Sequence, residues 1–177
     1  MNEKEKMLSG GMYNPNLDGL LEERIRAKEL CYKYNAELDK KYLKELLGKT
    51  GEAFQIEPNF FCDYGYNIEL GENFYSNHNL VILDCAPVTF GDNVFIGPNC
   101  GFYTAEHPLD AETRNSGLEY AKPIKVGNNV WFGGGVTVVS GVTIGDNVVI
   151  GAGSVVVKDI PSNVVAVGNP CKVLKEL

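Results

Sequence analysis

Residues 126–156 read VGNNVWFGGGVTVVSGVTIGDNVVIGAGSVV, and every sixth position is apolar: Val126, Phe132, Val138, Ile144, Ile150 and Val156. Neither the 3.6-residue period of a helix nor the two-residue alternation of a long strand gives that spacing. Glycine follows four of the six anchors, at Gly127, Gly133, Gly145 and Gly151. Four residues after an anchor comes a second, generally smaller inward candidate: Val130, Val136, Val142, Val148 and Ser154. Two inward positions per six residues, separated by turns rich in Gly and Asn, describe very short strands joined at tight corners where positive φ costs little.

One such strand has nothing to bury against. Stacked as a parallel solenoid, successive coils share one apolar column, in which each large aliphatic side chain contributes about 1.5–3 kcal/mol. The positions after Val138 and Val156, where glycine is missing, are eighteen residues apart. This predicts three hexads per coil and a triangular cross-section.

The rhythm extends upstream through Tyr64, Leu70, Ser76, Ile82, Phe90, Ile96 and Phe102, with Val94 and Cys100 as smaller inward residues. Two interruptions break it. Ile82 to Phe90 spans eight residues rather than six, so DCAPV (84–88) carries a two-residue bulge. Phe102 to Val126 spans twenty-four, and the intervening anchor positions fall on Pro108, Arg114 and Tyr120. The segment EHPLDAETRNSGLEYAKP (106–123) is polar and holds two prolines, so it is expected to project as a loop, and a loop this long in a compact repeat is usually functional.

Ahead of the repeat, LLEERIRAKELCYKYNAEL (20–38) mixes apolar and charged residues at helical intervals, with Asp18 as its cap and Glu22 and Glu23 in its first turn. A second helix, KKYLKELLGK (40–49), is expected to stop at Gly48. The organisation expected is a helical segment over 1–58 and a solenoid over 59–177.

Composition narrows the function. The chain has 177 residues, 44% apolar, and a formal charge of −7. That balance argues against general affinity for nucleic acid or anionic membrane, which clustered Lys and Arg would hold. The start, MNEKEKMLSGG, has no apolar core of a signal peptide, and no run approaches the roughly 18 apolar residues of a membrane span, so a cytoplasmic protein is expected. Five cysteines, odd in number and without CxxC spacing, read as free thiols, with Cys62 and Cys100 in inward slots. Two histidines, His78 and His107, fall short of a three-histidine zinc set, and no metal is expected.

The hexad array, the excursion beginning TAEHP (104–108), the closing IGAGSVVVKDIPSNVVAVGNPCKV (150–173) and the early MLSGGMYNPNLDGLLEERIRAKEL (7–30) together resemble the maltose and galactoside O-acetyltransferases of the hexapeptide-repeat acyltransferase family. The resemblance covers nearly the whole chain. It implies a mainly β fold, a left-handed parallel β-helix, against the usual right-handed crossover. It also implies a homotrimer with active sites between subunits, and acetyl-CoA as the donor to a sugar hydroxyl such as that of maltose, glucose or a galactoside.

Acetyl transfer from a thioester to a hydroxyl needs a base, donors for the developing oxyanion and a slot for the carrier. The resemblance makes His107 the base in a direct attack without an acyl-enzyme. Its second ring nitrogen has three candidate partners, Glu106, Glu119 and a backbone carbonyl. Asn77 matches the asparagine that faces the reacting carbonyl. Acceptor contacts fall on Asp63, Tyr75, Asp84 and Cys85, the last standing where the galactoside enzyme's motif has aspartate. For the coenzyme, Gly134 and Ala152 match positions of close approach, Lys158, Lys172 and Lys175 offer the phosphates positive charge, and Trp131 can wall the site. The alternative is an N-acetyltransferase acting on an amino sugar or antibiotic; a non-catalytic solenoid would not need a histidine-bearing loop.

Overall fold

The computed structural model describes residues 1–177. Three helices come first: α1 (Glu3–Leu8), α2 (Leu20–Glu37) and α3 (Lys40–Leu46). The first coil of a three-sided parallel solenoid follows as β1 (Phe54–Ile56), β2 (Phe60–Cys62) and β3 (Ile68–Leu70), and the second as β4 (Phe74–Ser76), β5 (Leu80–Leu83) and β6 (Val88–Phe90). In the third, β7 (Phe95–Ile96) and β8 (Gly101–Tyr103) are followed by an excursion made of β9 (Ala105–Glu106), α4 (Ala111–Asn115) and β10 (Tyr120–Ala121), before β11 (Ile124–Val126). The fourth coil is β12 (Val130–Phe132), β13 (Thr137–Val139) and β14 (Thr143–Ile144). The fifth has β15 (Val148–Ile150) and β16 (Val155–Val156), with Ile160 bridging to Ile144 on the third side. Strand β17 (Val164–Val167) opens a sixth coil, and β18 (Lys172–Glu176) folds back antiparallel against it.

Face I stacks β1-β4-β7-β12-β15-β17-β18, face II stacks β2, β5, β8, β13 and β16, and face III stacks β3, β6, β11 and β14. Val130 pairs with Val148 and Thr137 with Val155, a step of eighteen residues, as the hexads predicted. All the hexad anchors are buried, and Phe74, Phe90, Phe102 and Phe132 stack edge to face at 5.0–5.3 Å along the axis.

Gly and Asn divide the work at the edge between faces III and I. Asn73, Asn93, Asn129, Asn147 and Asn163 carry the positive φ, 53–61°, and amides pass hydrogen bonds from coil to coil, as from Asn73 to Asn93 at 3.0 Å and from Asn147 to Asn163 at 3.0 Å. The glycines are needed for space instead: a Cβ on Gly71 would lie 2.4 Å from the Gly91 carbonyl oxygen. The residue between them accepts from the coil before, as Asp92 does from the Glu72 N–H at 2.8 Å.

The early coils differ from expectation. The solenoid begins at Phe54, ahead of residue 59. Ile68 pairs with Val88 and Phe60 with Leu80, a step of twenty, so the first coil has a two-residue bulge as well as the second. Tyr64 falls on the hexad spacing by coincidence. It lies in that bulge, buried with Met7, Tyr13, Leu20, Cys85, Ala86 and Ala121 under the helical cap, apart from the apolar column. The cap itself has an unexpected first helix, and α2 starts from Gly19 in the left-handed region while Asp18 accepts from the Glu3 N–H at 2.9 Å. Helix α3 ends two residues before Gly48. The 106–123 segment is an arm with its own two-stranded root, Tyr120 pairing with Glu106 and Ala121 with Ala105. No helix is long and apolar enough to cross a membrane.

The two bulges are stitched together by Asp84, which is 0% exposed. Its carboxylate accepts from the N–H groups of Asp63, Tyr64 and Gly65 at 3.0, 2.8 and 2.7 Å. Burial outweighs these bonds and pushes its pKa up from 3.8 to about 6. The folded state therefore holds this proton more tightly than the unfolded one, and the stability contributed falls as pH rises from about 4 to about 6 and is flat above. The difference in melting temperature between wild type and Asp84→Asn, followed from pH 4 to 7, is expected to narrow over that window and then level off. A second expectation concerns the column: Ile144→Asp places an unpaired charge among buried apolar side chains and abolishes the cooperative melt, read by circular dichroism.

Candidate active site

Most of the expected site residues fall on two edges of the prism. On the edge between faces II and III, Asp63 follows β2, Asp84 and Cys85 follow β5, the arm with His107 follows β8, Ser140 follows β13, and Lys158 lies beyond β16. Each sits one coil above the last, so sequence positions far apart become one column. On the other side of face II, at the edge with face I, Asn77 follows β4, Gly97 follows β7, Gly134 lies beyond β12 and Ala152 beyond β15.

His107 is exposed, directly after β9, and is followed by a buried proline, Pro108. Its imidazole makes no hydrogen bond within the chain, whereas both carboxylates considered for it are engaged elsewhere. Glu106 accepts from Tyr120 Oη at 2.6 Å, Lys122 Nζ at 3.2 Å and Ser140 Oγ, and these donors hold its carboxyl below the usual range against burial. Glu119 accepts from Tyr13 Oη and pairs with the Tyr13 backbone at 3.0 and 3.1 Å. Tyr13 is 0% exposed and thereby buttons the amino-terminal cap onto the arm that carries His107. Nothing in the sequence announces this contact, because its partners are 106 residues apart.

Below the arm, Asp63 is partly buried and accepts from the Cys85 thiol at 3.4 Å. Burial raises the Asp63 pKa, with Arg24 opposing it, and burial together with the Asp63 charge keeps the Cys85 thiol protonated. Arg24 reaches from α2 to Tyr64 Oη at 2.8 Å and the Pro15 carbonyl at 2.5 Å. This corner thus gathers a partly buried carboxyl, a thiol only 3% exposed and a guanidinium engaged with its neighbours. Asp84 supports it from inside, with no exposed surface.

On face I, Tyr75, Asn77, Phe95, Ile96, Gly97 and Trp131 line a shallow groove of about 430 Å³. The register aligns Tyr75, Phe95, Trp131, Val149 and Val165 as one outward column, continued by Lys175 on β18. Phe95 and Trp131 are 49% and 57% exposed. Asn77 is held by its own backbone N–H to Ile96 at 2.8 Å, and its Oδ1 accepts from the His78 N–H at 2.7 Å, which leaves the amide Nδ2 donors free. His78 Nδ1 is engaged with the Pro58 carbonyl, and no group of three or more His, Cys, Asp or Glu side chains is arranged to hold a metal ion.

The glycines separate into two kinds. A Cβ on Gly97 would lie 2.6 Å from the Gly134 nitrogen, and one on Gly133 2.6 Å from the Ala152 nitrogen, so the coil requires both. Gly134 itself would meet nothing nearer than Pro98 at 3.3 Å. Lys158, Lys172 and Lys175 are exposed. Within one chain, face II stands between His107 with Asp63 and Cys85 on one side and Asn77 with Trp131 on the other.

Known proteins share this plan. Residues 6–51 match the maltose acetyltransferase hexapeptide capping motif, 87–104 the hexapeptide repeat of succinyl-transferase, and 123–158 the bacterial transferase hexapeptide of six repeats. Galactoside O-acetyltransferase of Escherichia coli K12 is 46% identical over 98% of this chain and 88% of that protein. The crystal structure of a maltose O-acetyltransferase from Clostridium difficile 630 superposes with a TM-score of 0.98 at 52% identity, covering 100% of this chain and 98% of that one. A galactoside acetyltransferase in complex with coenzyme A gives 0.95 at 46% identity, covering 99% and 91%. A hexapeptide-repeat acetyltransferase from Vibrio cholerae complexed with acetyl coenzyme A gives 0.92 at 37%, covering 100% and 99%. With its capping motif, its repeats and this likeness along its whole length, the chain belongs to the hexapeptide-repeat acetyltransferases of the maltose and galactoside O-acetyltransferase type.

Proposed function

We propose that the protein transfers the acetyl group of acetyl-CoA to a hydroxyl of a sugar, with His107 as general base. The observation that carries this reading is the exposed, unpartnered imidazole of His107 standing on the same edge as the Asp63–Cys85 corner. A hydroxyl held at that corner would give its proton to a His107 ring nitrogen while its oxygen attacks the thioester carbonyl. The tetrahedral oxyanion would be met by the free amide donors of Asn77, and its collapse would expel the coenzyme thiolate, which recovers the proton from the imidazolium. The high proton affinity of the Cys85 thiol speaks against an acyl-cysteine route, because thiolate is the nucleophilic form.

In this reading Asp63, Cys85 and Tyr75 touch the acceptor and Asp84 keeps the Asp63 backbone in place. Trp131, Gly134 and Ala152 flank the coenzyme, and Lys158, Lys172 and Lys175 attract its phosphates. Face II intervenes between base and amide, so one chain's His107 would work with the Asn77 groove of a neighbouring copy. A closed threefold ring uses a different surface on each side of every contact, and the outward aromatic column of face I suits one side of it. The homotrimer and its shared sites are part of the proposal.

The test is an acceptor panel with acetyl-CoA, following thiol release. Glucose, maltose and thiogalactosides are expected to turn over; release with amino acceptors alone would overturn the sugar reading. His107→Ala is expected to keep its fold and coenzyme affinity and lose at least about 100-fold in turnover. Mixing His107→Ala with Asn77→Ala chains before assembly should restore roughly a quarter of wild-type activity if sites are shared between copies, and none if each chain is self-sufficient.

A further inference from the structure

Two of the five thiols face each other across the joint between the helical cap and the first coil. Cys31 lies on the buried face of α2 with Ala27, Leu30 and Tyr34, and Cys62 closes β2, against which α2 packs. Their Sγ atoms are 3.8 Å apart, and both side chains are buried and unbridged. A disulfide spans about 2.05 Å, so the closure needed from 3.8 Å is about 1.8 Å. The remaining thiols are directed elsewhere: Cys85 donates to Asp63, Cys100 to the Gly133 carbonyl at 3.2 Å, and Cys171 lies in the turn before β18.

We propose that Cys31 and Cys62 form a modification site, at which a two-electron oxidant of the peroxide class joins them in an intramolecular disulfide. Peroxide is small enough to enter the joint during local opening of the cap. The Cys31 thiolate attacks one peroxide oxygen, an S–O bond forms as the O–O bond breaks, and hydroxide leaves to become water with the thiol's proton. The Cys62 sulfur then attacks the resulting sulfenic sulfur, forming S–S and breaking S–O, and the departing hydroxyl leaves as water with the second proton. Two thiols and one peroxide give one disulfide and two waters. Cys31 acts first because the contact with Cys62 holds its pKa below the ordinary thiol value, whereas Cys31, burial and the Asp84 and Asp63 carboxylates hold Cys62 well above it.

The bond would close a ring containing α3 and β1 and fix α2 to the residue before Asp63. Chain entropy in the unfolded state would fall, so the oxidised protein should melt at a higher temperature. Nothing in this step depends on the acceptor or on His107.

The experiment treats the full chain with hydrogen peroxide, alkylates it under denaturing conditions and maps its peptides. The expected result is a fall from five free thiols to three, a Cys31–Cys62 cross-linked peptide two hydrogens lighter than the reduced pair, and a raised melting temperature that dithiothreitol reverses. Cys31→Ser and Cys62→Ser should each keep four thiols and show no such rise. Five thiols after treatment, a bridge to Cys85 or Cys100, or a sulfinic Cys31 without a bridge would overturn the proposal. Should either variant fail to fold, peptide mapping of the wild type decides alone.

Discussion

The whole molecule depends on how closely one coil can lie on the next. The coil strands, two to four residues long, cannot carry a sheet alone; they hold because backbone N–H groups find carbonyls in the coil above or below, coil after coil. Corners must close to the same spacing as strands. There a side chain's first carbon has no room, as the 2.4–2.8 Å approaches at Gly71, Gly91, Gly97, Gly127 and Gly133 record. The apolar column is then a consequence: once the corners stack, the residues between them face one axis, and the phenylalanine ladder fills it. The amide ladder of Asn73, Asn93 and Asn129 closes the same spacing from outside and meets the cost of left-handed backbone with side-chain hydrogen bonds.

That rigidity explains where the chemistry can sit. A coil built of three hexads repeats its environment every eighteen residues, so a site needs a departure from the repeat, and all the insertions into the coils occur on one edge. The extra residues after β2 and β5 and the arm after β8 are stacked, with Asp84 binding the first two levels and Thr104 joining the second to the third through Ala86 at 3.0 Å and Leu83 at 2.6 Å. The cap then covers this irregular edge with Tyr13, Arg24 and Met7. Irregular backbone that would otherwise expose unpaired groups becomes a lined corner beside His107.

Much of this was legible in the sequence because the hexad is dictated by geometry at every coil. The anchors from Leu70 onward, the eighteen-residue step, the bulge at 84–88 and the excursion at 106 could all be read from spacing. What could not be read was anything depending on a single contact between distant segments. The first bulge was hidden because Tyr64 happens to stand six residues before Leu70. Asp84 looked like an acceptor ligand because its three partners are backbone N–H groups, which leave no mark in the sequence. Gly and Asn at the corners look alike in sequence; only the backbone shows that space constrains one and torsion the other.

The reversal after β17 has a consequence of its own. A parallel solenoid has an unsatisfied strand at its last coil, and a second molecule could in principle continue it, coil on coil, into an endless fibre. Strand β18 reverses direction and pairs with β17, so the last strand of face I is antiparallel and carries charges at Lys172, Lys175 and Glu176. A parallel strand of the repeat cannot continue face I in register on that surface. At the opposite end α2 and α3 cover the first coil. A fold built by translation is thus turned back at face I by one reversal, and its first coil lies under a lid of two helices.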